Sequence, residues 1–416
     1  MVSNSRMELM QEVNPVFLTA RASLCVLEQV KDEDAVKLNS KLKCTMPEAP
    51  GLDKLSPQKQ AMFKKLAVAI LSMFEARYKA TNDYFFKEGE GSFFDLACGL
   101  VPRSLLFARK GQKYIGADLP AVMASLRYAA EGCLEAGKEN VSFAEVDATN
   151  YDTLEKAAAA ADGELFISTE GLFPYLTEDE VKEVCANIRR LLCEHGGVWV
   201  CTDFEVERWS RRICSAYLSN MISDPREYMQ LSEGELSDVK FAANSLCKGS
   251  RDSIKSALDG FGFDVQLVPM YDYLGEDAVL SLPEDRREAA RDVYKDISFW
   301  VMTPKGGAES FNTNGKDFSA ELTRRSTLLT VNLTGRLDTV TAPDLLKLYR
   351  SAVREGGIRR ININMRKLDY ISSAGLRVLM IMYKELPSNG TVNVYNANDS
   401  IREIFKTTGF SGLFNY

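Results

Sequence analysis

A strand that runs into small residues, then a helix, then a second strand closing on an acid, is the pattern that most restricts this chain. Phe93-Phe94-Asp95-Leu96 is apolar enough for a buried parallel strand, and Ala97-Cys98-Gly99 supplies the small-residue turn. Ser104-Leu105-Leu106-Phe107-Ala108-Arg109-Lys110 can form the helix. With little bulk in the turn, a ligand can lie close to the backbone. The second strand, from Lys113 to Asp118, ends in a carboxylate 19 residues after Gly99. An acid at that separation is the usual partner of ribose hydroxyls in doubly wound nucleotide sites. A plain strand-turn-helix with a solvated aspartate would read the same on these two elements alone.

Further strands are expected at 141–147, 164–169 and 197–203, with helices at 119–137, 151–161 and 178–194 between them. Such alternation calls for a parallel sheet covered on both faces. Residues 263–269 and 297–303 add a final pair of strands. Before them, 205–248 reads as a largely helical insertion whose Trp209, Tyr217, Met221 and Tyr228 fit either a substrate lid or core. Residues 1–85 predict a helical cap, with helices at 16–30 and 57–84, the latter carrying Met62, Leu66, Ile70 and Phe74 at helical spacing. Arg77 in that helix is a surface arginine or one placed to reach a carboxylate. The α/β domain then spans 86–304, a Gly/Asn/Ser-rich linker 305–318, and a separate small domain 319–416.

Composition narrows the function classes. The 416 residues suit two or three domains. A net charge of −7 with no basic patch argues against a nucleic-acid partner. Nine cysteines without a C-x-x-C pair, and a single histidine, exclude the usual zinc frameworks, so no metal is expected. Neither a signal peptide nor an apolar run of membrane-spanning length shows, so a cytoplasmic chain with reduced thiols is expected.

Four stretches carry a family resemblance over residues 75–205. They are Asp95-Leu96-Ala97-Cys98-Gly99-Leu100-Val101-Pro102-Arg103, the acid of Gly116-Ala117-Asp118-Leu119-Pro120, Asp147, and Thr169-Glu170-Gly171-Leu172-Phe173-Pro174-Tyr175-Leu176. Together they resemble the class I AdoMet-dependent methyltransferases, and within them the leucine carboxyl methyltransferase-like O-methyltransferases. The resemblance implies an α/β fold with a doubly wound, mostly parallel seven-stranded sheet, and S-adenosyl-L-methionine (AdoMet) as cofactor. It implies that Asp95 and the backbone of Ala97, Cys98 and Gly99 approach the methionine part, with Arg103 supporting the turn. Asp118, with Leu119 beside it, would take the ribose, and Asp147 the adenine amino group. Glu170 would face the charged amino-acid end, and Arg77 its carboxylate. Ala97 stands where the family usually has glycine, and Val101 where it often has aspartate.

A methyl acceptor that is a small carboxylate is already ionised at neutral pH and needs no base. His195, in Leu192-Cys193-Glu194-His195-Gly196-Gly197, reads as a helix C-terminus. A phenol or alcohol acceptor would need help, from Tyr175, the candidate catalytic residue, or from an acid near it.

The small C-terminal domain shows a strand pattern at 321–334, a helix at 342–354, strands at 358–365 and 391–395, and helices to 386 and at 400–407. Leu333-Thr334-Gly335-Arg336-Leu337-Asp338 and Tyr370-Ile371-Ser372-Ser373-Ala374-Gly375-Leu376 resemble the STAS domains, the fold of anti-sigma factor antagonists. The resemblance implies that Ser373 is the serine open to phosphorylation by a partner kinase, at a helix N-terminus whose dipole welcomes phosphate. Ser372 and Ser373 could also be caps alone. Two readings of different class follow. One is a small-molecule O-methyltransferase whose STAS domain docks it to a kinase or anti-sigma-like partner or responds to phosphorylation. The other is a regulatory protein whose methyltransferase-like part only senses AdoMet or has lost it. Homodimer formation stays open in both.

Overall fold

The computed structural model describes residues 15–47, 56–89, 91–218, 244–305, 309–325, 328–354, 356–387, 390–410 and 413–414. Among the described residues three helices come first: α1 (Pro15–Gln29), α2 (Glu33–Leu42) and α3 (Pro57–Glu88). α2 starts on Asp32, whose carboxylate accepts from the Ala35 amide, and α3 on Ser56 with Pro57 in its first turn. α3 buries Ala69, Met73, Ala76 and Ala80 against the sheet, while Ile70 and Phe74 of the expected stripe are half-buried. Small residues let this long helix lie close to the aromatic layer of Phe93, Phe107 and Phe166, which its own Phe85 joins. The helix continues to Glu88, so the expected boundary at residue 85 falls inside it.

The central domain follows as β1 (Ser92–Leu96), α4 (Arg103–Lys110), β2 (Tyr114–Asp118), α5 (Pro120–Glu131), β3 (Val141–Glu145), α6 (Tyr151–Ala158), β4 (Leu165–Thr169), α7 (Glu178–His195) and β5 (Gly197–Cys201). Then come α8 (Val206–Leu218), α9 (Ser245–Lys248), α10 (Arg251–Gly260), β6 (Phe263–Pro269), α11 (Glu284–Val293) and β7 (Ser298–Pro304). The strand order is β3-β2-β1-β4-β5-β7-β6, with β1 to β5 parallel and β7 antiparallel to both neighbours. This is the doubly wound sheet that the resemblance implied. Every residue of β1, β2 and β4 is buried, as parallel strands covered on both faces should be, with Asp95 and Asp118 among the few polar side chains they carry. Chain order reverses between β1 and β4, so the crevice for a ligand opens at their carboxyl ends. Trp209 and Tyr217 of α8 are buried in the core beside α3 and α11, as core residues. Met221 and Tyr228 lie outside the described residues.

The second sheet comprises β8 (Glu309–Asn314), β9 (Phe318–Arg325), β10 (Leu328–Leu337), β11 (Arg360–Ile371) and β12 (Thr391–Tyr395), with α12 (Ala342–Ala352), α13 (Ser373–Glu385) and α14 (Asp399–Thr407). Its order is β12-β11-β10-β9-β8. Two expectations are corrected here. The linker of 305–318 contains β8, which pairs antiparallel with β9 around Asn314-Gly315, and the Gly315 amide donates to the Phe318 carbonyl at 2.8 Å. An Asn-Gly pair serves a tight hairpin as well as a linker, and here the hairpin forms. The single strand expected at 321–334 is two strands of a second hairpin, β9 and β10.

Candidate functional site

The turn after β1 is built on two residues in the left-handed region, Ala97 (φ +65°) and Gly99 (φ +59°). The Ala97 and Cys98 amides both reach the Ala117 carbonyl, at 2.8 and 3.1 Å, which locks the turn to the end of β2. Asp118 sits 5% exposed at that end. Its Oδ2 accepts from the Gly99 amide at 2.8 Å and its Oδ1 from the Leu119 amide at 2.7 Å. Burial pushes its pKa up to about 6, against the pull of those two amides. Each carboxylate oxygen keeps a further acceptor site, the number a ribose diol needs. Gly99 is required by its backbone angle, which side chains rarely adopt, and a Cβ there would only touch Ala20 of α1 at 3.5 Å. The cap thus closes directly over the turn.

Arg103 opens α4, yet it is 1% exposed and forms the centre of a buried cluster. Its Nη1 donates to Asp95 Oδ2 at 2.7 Å, its Nε to Asn82 Oδ1 at 2.7 Å, and its Nη2 to Glu170 Oε1 at 2.8 Å. The guanidinium lies over the rings of Tyr78 and Phe93, and the Tyr114 hydroxyl adds a bond to Asp95. Burial raises the Asp95 carboxyl, with Arg103 working the other way. Asp95 therefore holds Arg103 from inside the protein rather than facing the crevice, contrary to its expected place among the cofactor ligands.

Glu170 joins this cluster to the crevice. Its Oε2 is 3.6 Å from Arg77 Nε, and Arg77 Nη1 is 3.5 Å from Asp203 Oδ1. Arg77 Nε is buried and makes no hydrogen bond, so it is a donor directed at the strand ends with capacity to spare. Asp203, fully buried just past β5, accepts from the amides of Gly171, Leu172 and Phe173 at 2.5, 2.8 and 3.0 Å. Burial raises its carboxyl, while Arg77 and the three amides oppose the shift. It fixes the turn that leads from Glu170 to Tyr175. Sequence reasoning placed Asp203 at a strand end without assigning it a role; its position as the acid closing β5 was the available signal.

The remaining site residues are spread around this centre. Tyr175 hydrogen-bonds Thr19 of α1 through its hydroxyl at 2.7 Å, and burial raises its pKa, which disfavours a phenolate base at neutral pH. Cys98 is buried and its thiol is held well above the ordinary range by burial. Asp147 lies two residues past β3, exposed, with Oδ1 bound to the Thr149 amide and hydroxyl. In the small domain, Ser372 is the N-cap of α13, accepting from the Gly375 amide, and Ser373 is exposed in the first turn. Arg336 stacks over Tyr370 at 4.3 Å at the same end of that domain. A separate cleft of about 450 Å³ lies beyond β5 between α8 and α9, lined by Arg208, Arg211, Arg212 and Lys248 against Glu205 and Glu207.

Residues 319–416 match the family model described as STAS domain. Over 70 residues the chain is 36% identical to a Bordetella bronchiseptica protein carried under the name of anti-sigma factor antagonist BtrV, a match covering 17% of this chain and 60% of that one. The chain thus spans 60% of that relative's length, short of two thirds. It is 27% identical over 100 residues to the anti-sigma-B factor antagonist of Staphylococcus aureus, covering 24% of this chain and 92% of that one. Among solved structures, the CcbJ methyltransferase from Streptomyces caelestis aligns over 55% of this chain and 90% of its own, at 15% identity and a TM-score of 0.33. The C-terminal unit is a STAS domain, and the α/β sheet before it carries its own topology as the ground for its assignment.

Proposed function

We propose that residues 86–304 bind AdoMet at the carboxyl ends of β1, β2 and β4 and transfer its methyl group to an oxygen of a small acceptor. The observation that carries this reading is the convergence there of Asp118, with acceptor sites to spare on both oxygens, and of Arg77, with a buried donor unspent. AdoMet supplies an electrophilic sulfonium methyl. The chain's own residues bind and orient: Asp118 accepts from the ribose hydroxyls, Arg77 donates to the α-carboxylate, and Glu170 accepts from the α-ammonium. Asp147 offers its second oxygen to the adenine amino group from the rim. Asp95 and Arg103 hold Glu170 in place from behind. α1, tied to the far side of the crevice through Thr19 and Tyr175, excludes water. Positioning and desolvation are what such a transfer asks of a protein.

The cleft beyond β5 gives no acceptor preference, because its arginines are paired, Arg208 with Glu205, Arg211 with Glu207 and Arg212 with Asp296. A carboxylate needs no general base, and the site has no free histidine to serve as one. The STAS domain serves as the regulatory or partner-docking unit, with Ser373 exposed for a kinase at the positive end of α13. The chain is read as cytoplasmic. The AdoMet-sensing alternative draws on Ala97, whose strained angle occupies the turn where a glycine would sit at ease.

Calorimetric titration with AdoMet tests the reading. Wild-type protein is expected to bind, with Asp118→Ala and Arg77→Ala each at least tenfold weaker while the fold stays intact by circular dichroism. Absence of binding by the wild type overturns the proposal. Binding without methyl transfer to any carboxylate-bearing metabolite would leave the sensor reading in its place.

A further inference from the structure

The STAS sheet has two unlike faces. Leu329, Val331, Ile361, Ile363, Val392 and Val394 point into the core beneath the helices. Alternation sends their neighbours the other way, and register places Thr330, Asn362 and Asn393 in one row of that second face. A polar face of this kind ordinarily meets water, yet Asn362 is 1% exposed. The cover is the amino-terminal edge of the first sheet. Asn362 Nδ2 donates to the His195 carbonyl at 3.4 Å, while its Oδ1 accepts from Asn393. Thr330 Oγ1 donates to Glu164 Oε1 at 2.8 Å. The approach is close at two glycines whose positive φ already favours glycine. A Cβ on Gly196 (φ +77°) would come within 2.7 Å of Leu328, and one on Gly163 (φ +96°) within 3.3 Å of Tyr395.

Glu164 precedes β4, and His195 and Gly196 precede β5. The far ends of those two strands lead to Glu170 and Asp203, the pair of acids that flanks Arg77. We infer that the helix-free face of the STAS sheet is a docking surface for the methyltransferase domain of the same chain, gripping the amino ends of β4 and β5 so that loosening the grip weakens AdoMet binding. The regulation so assigned rests on the AdoMet reading above. Each strand is five residues long, about 17 Å, and is hydrogen-bonded on both sides, so a displacement at one end has little slack in which to be absorbed. By linkage, AdoMet tightens the docking by the same factor as the docking tightens AdoMet. Ser373 opens a helix on the opposite face of the STAS sheet, so a partner protein reaches it without competing for the docked face.

Thr330→Glu sets a second carboxylate against Glu164, and adding Glu164→Lys restores an opposite pair. Small-angle scattering and AdoMet titration are run on the full chain. The expected result for Thr330→Glu is a larger radius of gyration and an AdoMet dissociation constant raised at least about fivefold. The double variant is expected to reverse both. Asn362→Ser, which gives up the reach to His195 without adding charge, provides the same two readings should Thr330→Glu fail to fold. An unchanged radius in the folded variants overturns the docking, as does a wild-type mass of two chains with the cover supplied by a second copy. A larger radius with unchanged affinity overturns the coupling. If the wild type binds no AdoMet, the methyltransferase reading fails by itself, and the scattering still decides the docking.

Discussion

Ala97 carries a left-handed backbone angle of +65° inside a turn whose amide is already committed to Ala117. A Cβ in that region costs about 1–2 kcal/mol, whereas glycine's extra unfolded-state freedom costs roughly 0.5–1 kcal/mol. Ala97→Gly is therefore expected to stabilise the chain by about 0.5–1 kcal/mol in urea denaturation, and to leave AdoMet binding intact. Asp118 gives a pH signature at the same scale. Its native pKa of about 6 lies above the unfolded value of 3.8, so the native state holds the extra proton between them. Stability from this group is full below the lower value and declines as pH rises to the upper one, by about 3 kcal/mol. The stability difference between Asp118→Asn and wild type should grow in the variant's favour across that window. Ribose hydroxyls donate to the ionised form, so AdoMet affinity should fall about tenfold per unit below pH 6. A flat affinity profile from pH 5 to 7 would remove Asp118 from the ribose.

At the scale of elements, the turn from β4 to α7 hangs on one buried acid. Asp203 satisfies three consecutive amides from a different strand end and faces Arg77 as well. Asp203→Ala leaves those donors buried and unpaired, and about 3 kcal/mol or more of stability should go with it, read by chemical denaturation. The same element shows how far sequence reasoning reaches. β1, its turn and Asp118 were legible because their signals are local: an apolar run, small residues, an acid at fixed spacing. Ser372 and Ser373 at the start of α13 were legible for the same reason. Asp203, the inward turn of Asp95, and the Thr19–Tyr175 tie were not, because each depends on residues far apart in the chain meeting in space. β8 was misread since Asn314-Gly315 has the composition of a linker and the geometry of a hairpin at once. α3 was placed correctly as an element but with its buried face displaced. Its alanines carry little hydrophobic signal, although they are what lets the helix pack close.

For the whole molecule, the chain's one histidine reports on how its two domains meet. His195 is 7% exposed beneath Arg360 of the STAS domain, and burial, then that neighbouring charge, lowers its pKa to about 3. The unfolded chain takes up a proton near pH 6.5 and the native one does not, so stability is full above that value and is lost as pH falls toward 3. Acid should cost the wild type up to about 5 kcal/mol relative to His195→Gln over that range, measured by denaturation at stepped pH. All of this surrounds one central claim, that the crevice between β1, β2 and β4 is an AdoMet site. The most direct test is a crystal structure of the full chain grown with S-adenosylhomocysteine. The account predicts density at the carboxyl ends of those strands, with both ribose oxygens within 2.6–3.2 Å of Asp118 and the ligand carboxylate on Arg77. Crystals that show α1 packed into the crevice with no ligand beneath it, or the nucleoside bound elsewhere, would contradict it.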